Sequence, residues 1–175
     1  MAIKPGRIYR VPKNRAYTRK EYMKGTPGSK ITIFDMGELV ATDKFDLEMS
    51  LCAKEPSQIT HNALEASRVA ANRHLLKMTG KTGYYLKFRV YPHNVLRENK
   101  QATGAGADRV SDGMRRSFGK AVGLGAVVRK GQKVMTIRVN LPHYQSGRAS
   151  LIRAADKLPM PCGVSIEKGK ELLKL

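Results

Sequence analysis

Along residues 46–53, apolar and polar positions alternate: Leu47, Met49, Leu51 and Ala53 against Asp46, Glu48, Ser50 and Cys52. A period of two marks a strand with one buried face. The same period recurs at 84–91, where Leu86, Phe88 and Val90 alternate with Tyr85, Lys87, Arg89 and Tyr91. It returns at 134–141, where Met135, Ile137, Val139 and Leu141 alternate with Val134, Thr136, Arg138 and Asn140. Short runs at 31–34 and 163–166 predict further strands. Lys130 and Gly131 form a turn signal between 126–129 and 134–141, which predicts a hairpin.

Two stretches carry the helical period. Residues 57–79 follow Pro56, with Ser57 as the expected N-cap and Gly80 as the residue that ends the helix. Ile59, Ala63, Ala66, Ala70 and Leu76 fall near one face, widened by Leu64, Ala71, Leu75 and Met78. His61, Glu65, Arg68 and Asn72 share the opposite side. A second, shorter helix follows Pro142 and runs to about Lys157, stopped by Pro159 and Pro161. Its inward face is either Ala149, Ile152 and Ala155 or Leu151 and Ala154. Two helices among five or six strands predict an α+β fold: an α/β sandwich with the helices packed on a mostly antiparallel sheet. No internal repeat or second core is visible.

Charge changes the picture from fold to partner. The 175 residues hold 33 Lys and Arg against 14 Asp and Glu, a net charge of +19, with 41% hydrophobic residues. That hydrophobic share supports a packed core, and the charge points to a polyanion. The excess is concentrated in residues 1–30, with nine Lys and Arg against one acid, Glu21. Lys4, Arg7, Arg10, Lys13, Arg15, Arg19, Lys20 and Lys24 are interleaved with Tyr9, Tyr17 and Tyr22. Pro5, Pro12 and Pro27 disfavour a long helix there. An extended basic arm of this kind can follow a phosphate backbone and stack on unpaired bases. A solubilising tail is the competing reading. Residues 31–60 reverse the sign, with six acids against Lys44 and Lys54, and these acids are expected on the side turned away from the polyanion.

Residues 101–120 form the other unusual stretch. The first half, to Asp112, contains Gly104 and Gly106 and no large apolar residue, which predicts a long mobile loop. The second half sets Arg115, Arg116 and Lys120 around Phe118, and Arg97 and Lys100 lead into the loop. Cations beside an aromatic ring suit RNA contact, although a solvated surface loop has the same composition. The chain therefore divides into a basic extension, 1–30, and a single core domain, 31–175, bearing a mobile loop at 101–112.

Catalytic and metal patterns fail on inspection. Gly113 to Gly119 holds five intervening residues where a P-loop has four, and Ala121 stands where its hydroxyl residue belongs. Asp108, Asp112 and His143 have no indicated nucleophile or orienting partner. Cys52 and Cys162 are far apart in sequence and are expected as reduced, buried thiols. The four histidines show no metal-ligand spacing, so no metal or cofactor is expected. No long apolar run or leader pattern occurs, and a cytoplasmic protein is expected.

Five motifs then stand in one order: KPGRIYR at 4–10, KITIFDMG at 30–37, ALEASRVAANRHL at 63–75, HNVLRENK at 93–100 and GAGADRVSDGMRRSFGK at 104–120. Together they resemble the archaeal and eukaryotic branch of the universal large-subunit ribosomal protein sixteen family, called protein ten-e in archaea. The likeness extends to about Ile166, whereas 167–175 match no motif. The resemblance implies a non-catalytic protein that binds large-subunit rRNA at the base of the central protuberance, near 5S rRNA and other large-subunit proteins, and joins late in assembly. It also implies that residues 101–112 form the family's tip loop near the tRNA acceptor ends and the peptidyl transferase centre. Thr103, Gly104, Ala105, Gly106, Ala107, Asp108 and Arg109 are then the tRNA-proximal residues. A stand-alone RNA chaperone is the alternative, and an RNA-modifying enzyme would need a cofactor motif that is missing.

Overall fold

A computed structural model describes residues 6–11, 15–101, 104–106 and 113–173, with the side chains of Arg7 and Arg116 outside the description. Its strands are β1 (Asp35–Gly37), β2 (Leu47–Ala53), β3 (Ser57–Thr60), β4 (Tyr84–Phe88), β5 (Asn94–Glu98), β6 (Lys120–Val128), β7 (Lys133–Val139) and β8 (Cys162–Lys168). The helices are α1 (His61–Thr79) and α2 (Tyr144–Ala155). The fold is α+β, and every strand pairing is antiparallel. The strands divide into a five-stranded sheet, β1-β4-β7-β2-β8, and a three-stranded sheet, β3-β6-β5.

The core follows from the alternation. Leu47, Met49 and Leu51 on β2, Leu86 and Phe88 on β4, and Met135, Ile137 and Val139 on β7 are fully or almost fully buried. They cluster with Leu64, Ala71 and Leu75 of α1 and with Leu151 and Ala154 of α2. Ser150 Oγ donates to the Ala71 carbonyl at 3.3 Å, joining the two helices across their contact. On the other face of β2 and β7, Arg138 Nε donates to Glu48 Oε2 at 2.8 Å and its Nη1 to Asp43 Oδ1 at 3.1 Å. Lys87 stands 3.4 Å from Asp35, and Lys44 stands 3.6 Å from Glu38. Four of the six acids in 31–60 are thus matched to cations on or beside the sheet face that points away from the helices.

Several expected boundaries move. The stretch 57–60 is a strand and not the first turn of the helix, because Ser57–Thr60 pairs with Val128–Gly125 on β6. Ile59 fits a strand and a helix equally well, and the long-range pairing decides. Thr60 is the true N-cap, its hydroxyl accepting from the Ala63 amide at 3.4 Å. The buried face of α1 is His61, Leu64, Ser67, Ala71 and Leu75; Leu76 is 48% exposed. The expected strand at 31–34 is displaced to Asp35–Gly37, although the Phe34 carbonyl still accepts from the Phe88 amide. Residues 94–98, read as a lead-in to the loop, form β5.

The expected hairpin at 126–141 is also corrected. Its turn exists, with Gly131 at φ +79° and the Gln132 amide donating to the Arg129 carbonyl at 3.1 Å. Its arms, however, enter different sheets: β6 pairs with β3 and β5, and β7 with β2 and β4. The turn instead docks on the end of β2. Gly131 N donates to the Ala53 carbonyl at 2.8 Å, and Ala53 N donates to the Gln132 carbonyl at 3.0 Å. Here the chain passes between the sheets twice, at β2–β3 and at β6–β7, and the two crossings are bonded to each other.

Candidate nucleic-acid interface

The three-stranded sheet carries two buried amides, and they hold the basic arm. Gln58 on β3 is 5% exposed and Asn94 on β5 is 4% exposed. Asn94 Nδ2 donates to Gln58 Oε1 at 2.6 Å. Gln58 Nε2 then donates to the Ile8 carbonyl at 2.6 Å, and the Tyr17 amide donates to Asn94 Oδ1 at 2.8 Å. Two flanking bonds reinforce them: Ser57 Oγ to the Tyr9 carbonyl, and the Val95 amide to the Tyr17 carbonyl, each 2.9 Å. Each of the four bonds to the arm uses arm backbone. A buried amide left without a partner costs about 1–3 kcal/mol, so arm and sheet need each other. The described part of the arm is a docked segment, not a loose tail.

Backbone pinning leaves the side chains free to point outward. Arg10, Arg15, Arg19, Lys20 and Lys24 are exposed, while Tyr9 is half-buried. Beside the arm runs a groove of about 770 Å3 lined by Ala16, His93, Arg129, Lys130 and Gln132, which adds two cations from the β6–β7 turn. The arm's far end is fastened to α1, where the Lys30 amide donates to His61 Nδ1 at 3.2 Å. Burial, with a smaller contribution from the Lys30 charge, pushes the His61 pKa below the ordinary histidine value.

Arg97 joins the arm to the end of the glycine-rich stretch. Its guanidinium lies 4.1 Å from the Tyr17 ring centroid and 3.2 Å from that of Phe118. Its Nη1 donates to the Phe118 carbonyl. Nε is buried without a hydrogen-bond partner, and the two ring faces are its surroundings. A cation–π contact of this type stabilises by about 0.5–2 kcal/mol. Phe118 is nevertheless 63% exposed, so the rest of its ring meets solvent. Gly119 permits the approach: at φ +76°, a Cβ there would lie 2.8 Å from the Glu98 carbonyl carbon. Asn99 Nδ2 donates to the Gly113 carbonyl at 3.3 Å and closes the base of the loop.

The sequence-derived residues divide accordingly. Arg97 and Phe118 come together with Tyr17 of the arm; Lys100, Arg115 and Lys120 are exposed near the loop base. Phe118 meets the Arg97 guanidinium and the Tyr17 ring, neighbours that sequence spacing did not connect. Gly104, Ala105 and Gly106 form an exposed turn. Lys4, Lys13, Thr103, Ala107, Asp108 and Arg109 lie outside the described residues, as do the side chains of Arg7 and Arg116. Ser57, Gln58 and Asn94 were missed. Their signal was faint: polar residues beside Ile59 or Val95, where a strand was about to begin. Among the described residues no group of three His, Cys, Asp or Glu is placed to hold a metal ion, and no helix is long and apolar enough to cross a membrane.

The architecture and this surface define a class: small, strongly basic α+β proteins built around a docked cationic arm. The family model for ribosomal protein L16p/L10e matches residues 12–165, and the chain belongs to that family. It is 57% identical over 174 residues to the large ribosomal subunit protein uL16 of Methanocella arvoryzae, covering 99% of this chain and 100% of that one. The protein of the same name from Methanococcus maripaludis is 49% identical over 174 residues, covering 99% of each chain. That of Archaeoglobus fulgidus is 48% identical, covering 99% of this chain and 98% of its own.

Proposed function

We propose that the protein is a structural, non-catalytic constituent of the large ribosomal subunit in the cytoplasm, where it binds large-subunit rRNA. The observation that carries this reading is the arm docked by Gln58 and Asn94, which holds exposed cations in a fixed course. Phosphate contacts position a protein on RNA, and a backbone-pinned arm presents its charges with little ordering cost. Residues 1–30 act as the rRNA-binding extension of the core at 31–175. Arg97 and Phe118 fasten the arm to the loop base, while Lys100, Arg115, Arg116 and Lys120 meet phosphates there.

Family membership supports the finer placement: the base of the central protuberance beside 5S rRNA and the peptidyl transferase centre, with 101–112 directed at tRNA acceptor ends. The two halves of 101–120 then have different duties. Deletion of 103–110 leaves incorporation into large subunits intact and slows peptide synthesis. Replacement of Arg115 and Arg116 together by Gln hinders incorporation itself. Sucrose gradients paired with peptide-synthesis rates test this division. Normal translation by the loop deletion, or normal assembly of the double arginine variant, overturns it.

A further inference from the structure

A second cationic site lies on a different part of the molecule. Helices α1 and α2 run side by side in the same direction, as the Ala71–Ser150 and His74–Arg153 contacts show. Their C-terminal ends therefore meet, and between them opens a groove lined by Arg73, His74, Lys77, Arg153, Asp156 and Lys157. Arg73, Lys77, Arg153 and Lys157 are all exposed. No ion pair among the described residues engages any of them.

Helix stability does not explain this grouping. A cation near a helix C-terminus is favourable, but each end carries only about half a unit of negative charge. Four cations against two such ends and Asp156 leave a local excess of about +2. Arg73 and Lys77 are moreover a like-charged pair four residues apart on α1, an unfavourable spacing on a helix. Arg153 Nη1 donates to His74 Nδ1 at 2.8 Å, so the imidazole is a neutral acceptor that orients the guanidinium across the groove. Burial first, then the charges of Arg153 and Lys77, hold its pKa below the ordinary value. Convergent cations, one of them oriented, around a concave surface suit phosphate oxygens.

We propose that the groove between the C-terminal halves of α1 and α2 binds the phosphate backbone of a second RNA segment, so that the protein bridges two segments. The inference rests on the rRNA-binding reading above. His74 lies about 20 Å along α1 from His61, at the helix end near the arm, so the groove is a surface separate from the arm. The arm side takes one segment and the helix pair the other.

The test uses the full-length protein and protein-free large-subunit rRNA. The groove variant carries Arg73→Gln, Lys77→Gln, Arg153→Gln and Lys157→Gln; the arm variant carries Arg10→Gln, Arg15→Gln and Arg19→Gln. All seven side chains are exposed, and thermal melts confirm that each variant folds. Plots of log affinity against log salt should lose about 0.7–0.9 in slope for each phosphate contact removed, so the groove variant should fall by about two or more. Titration of the wild-type protein with a 12-residue oligouridylate should also shift the His74 Cε1–H resonance by NMR. That of His143, at the other end of α2, should stay. An unchanged slope in the groove variant, or a stationary His74 resonance, overturns the second site. An unchanged slope in the arm variant alone overturns the arm reading and leaves the groove standing.

Discussion

Arg97 packs against both Tyr17 and Phe118, whose rings are nearly perpendicular, with its guanidinium carbon 4.1 Å from one ring centroid and 3.2 Å from the other. One side chain on β5 therefore holds the arm and the end of the glycine-rich stretch together. Arg97→Gln removes both cation–π contacts and should destabilise the protein by about 1–3 kcal/mol. The amide of Val95, bonded to the Tyr17 carbonyl, should exchange with solvent faster. Arg97→Lys keeps the charge without the planar face, and should recover only part of the loss in a urea titration. Full recovery would mean that charge alone matters at this position.

Gln58 and Asn94 form a coupled pair. Asn94→Ala leaves the Tyr17 amide and the Gln58 carbonyl oxygen without their partner, and should cost about 1–3 kcal/mol. Gln58→Ala should cost a similar amount. The double variant should cost clearly less than the sum, because the bond between the two amides is counted twice. Additive losses in denaturant unfolding would show that each amide holds the arm independently.

Neighbouring leucines on α1 should differ sharply. Leu75 is fully buried and Leu76 is 48% exposed. Leu75→Ala should cost about 2–5 kcal/mol, and Leu76→Ala about 0.5 kcal/mol or less. Thermal melts of the two variants decide the face of the helix; equal losses would contradict the observed packing.

His61 gives stability a pH dependence above the range where carboxylates titrate. Its folded pKa is lowered, so the unfolded chain binds the extra proton first. The contribution is complete above the unfolded value, about 6.5, and is lost as pH falls through the folded value. His74 is lowered too and adds in the same direction. Urea midpoints should therefore fall between pH 8 and pH 5. The decline should be shallower in His61→Gln and shallower again with His74→Gln added. A midpoint that stays level in the wild-type protein would exclude both histidines as the source.

What could be read from the chain follows a physical divide. The alternation at 47–53 marked its strand because one face packs under the helices and the other meets charged partners. Gly80 marked the end of α1, since its φ of +73° suits a residue without a side chain. Ile59 misled because a single apolar residue satisfies a period of two and a period of 3.6 alike. The turn at Lys130–Gly131 looked like a hairpin because its residues report a bend and say nothing of which distant strands receive the two arms. Gln58 and Asn94 were invisible for another reason: an amide buried against backbone has the same residue type as one in water. The basic residues of the arm were legible as a group, whereas the cluster of Tyr17, Arg97 and Phe118 exists only once β5 and β6 are paired.

The central claim is that a docked arm fixes the protein on large-subunit RNA. Replace Arg10, Arg15, Arg19, Lys20 and Lys24 with Gln, confirm by exchange protection at Val95 that the arm is still docked, and sediment large subunits carrying either form through a high-salt wash. The wild-type chain should remain with the subunit and the substituted chain should be released. Equal retention of the two would contradict a role for the arm's charges in holding the protein to RNA.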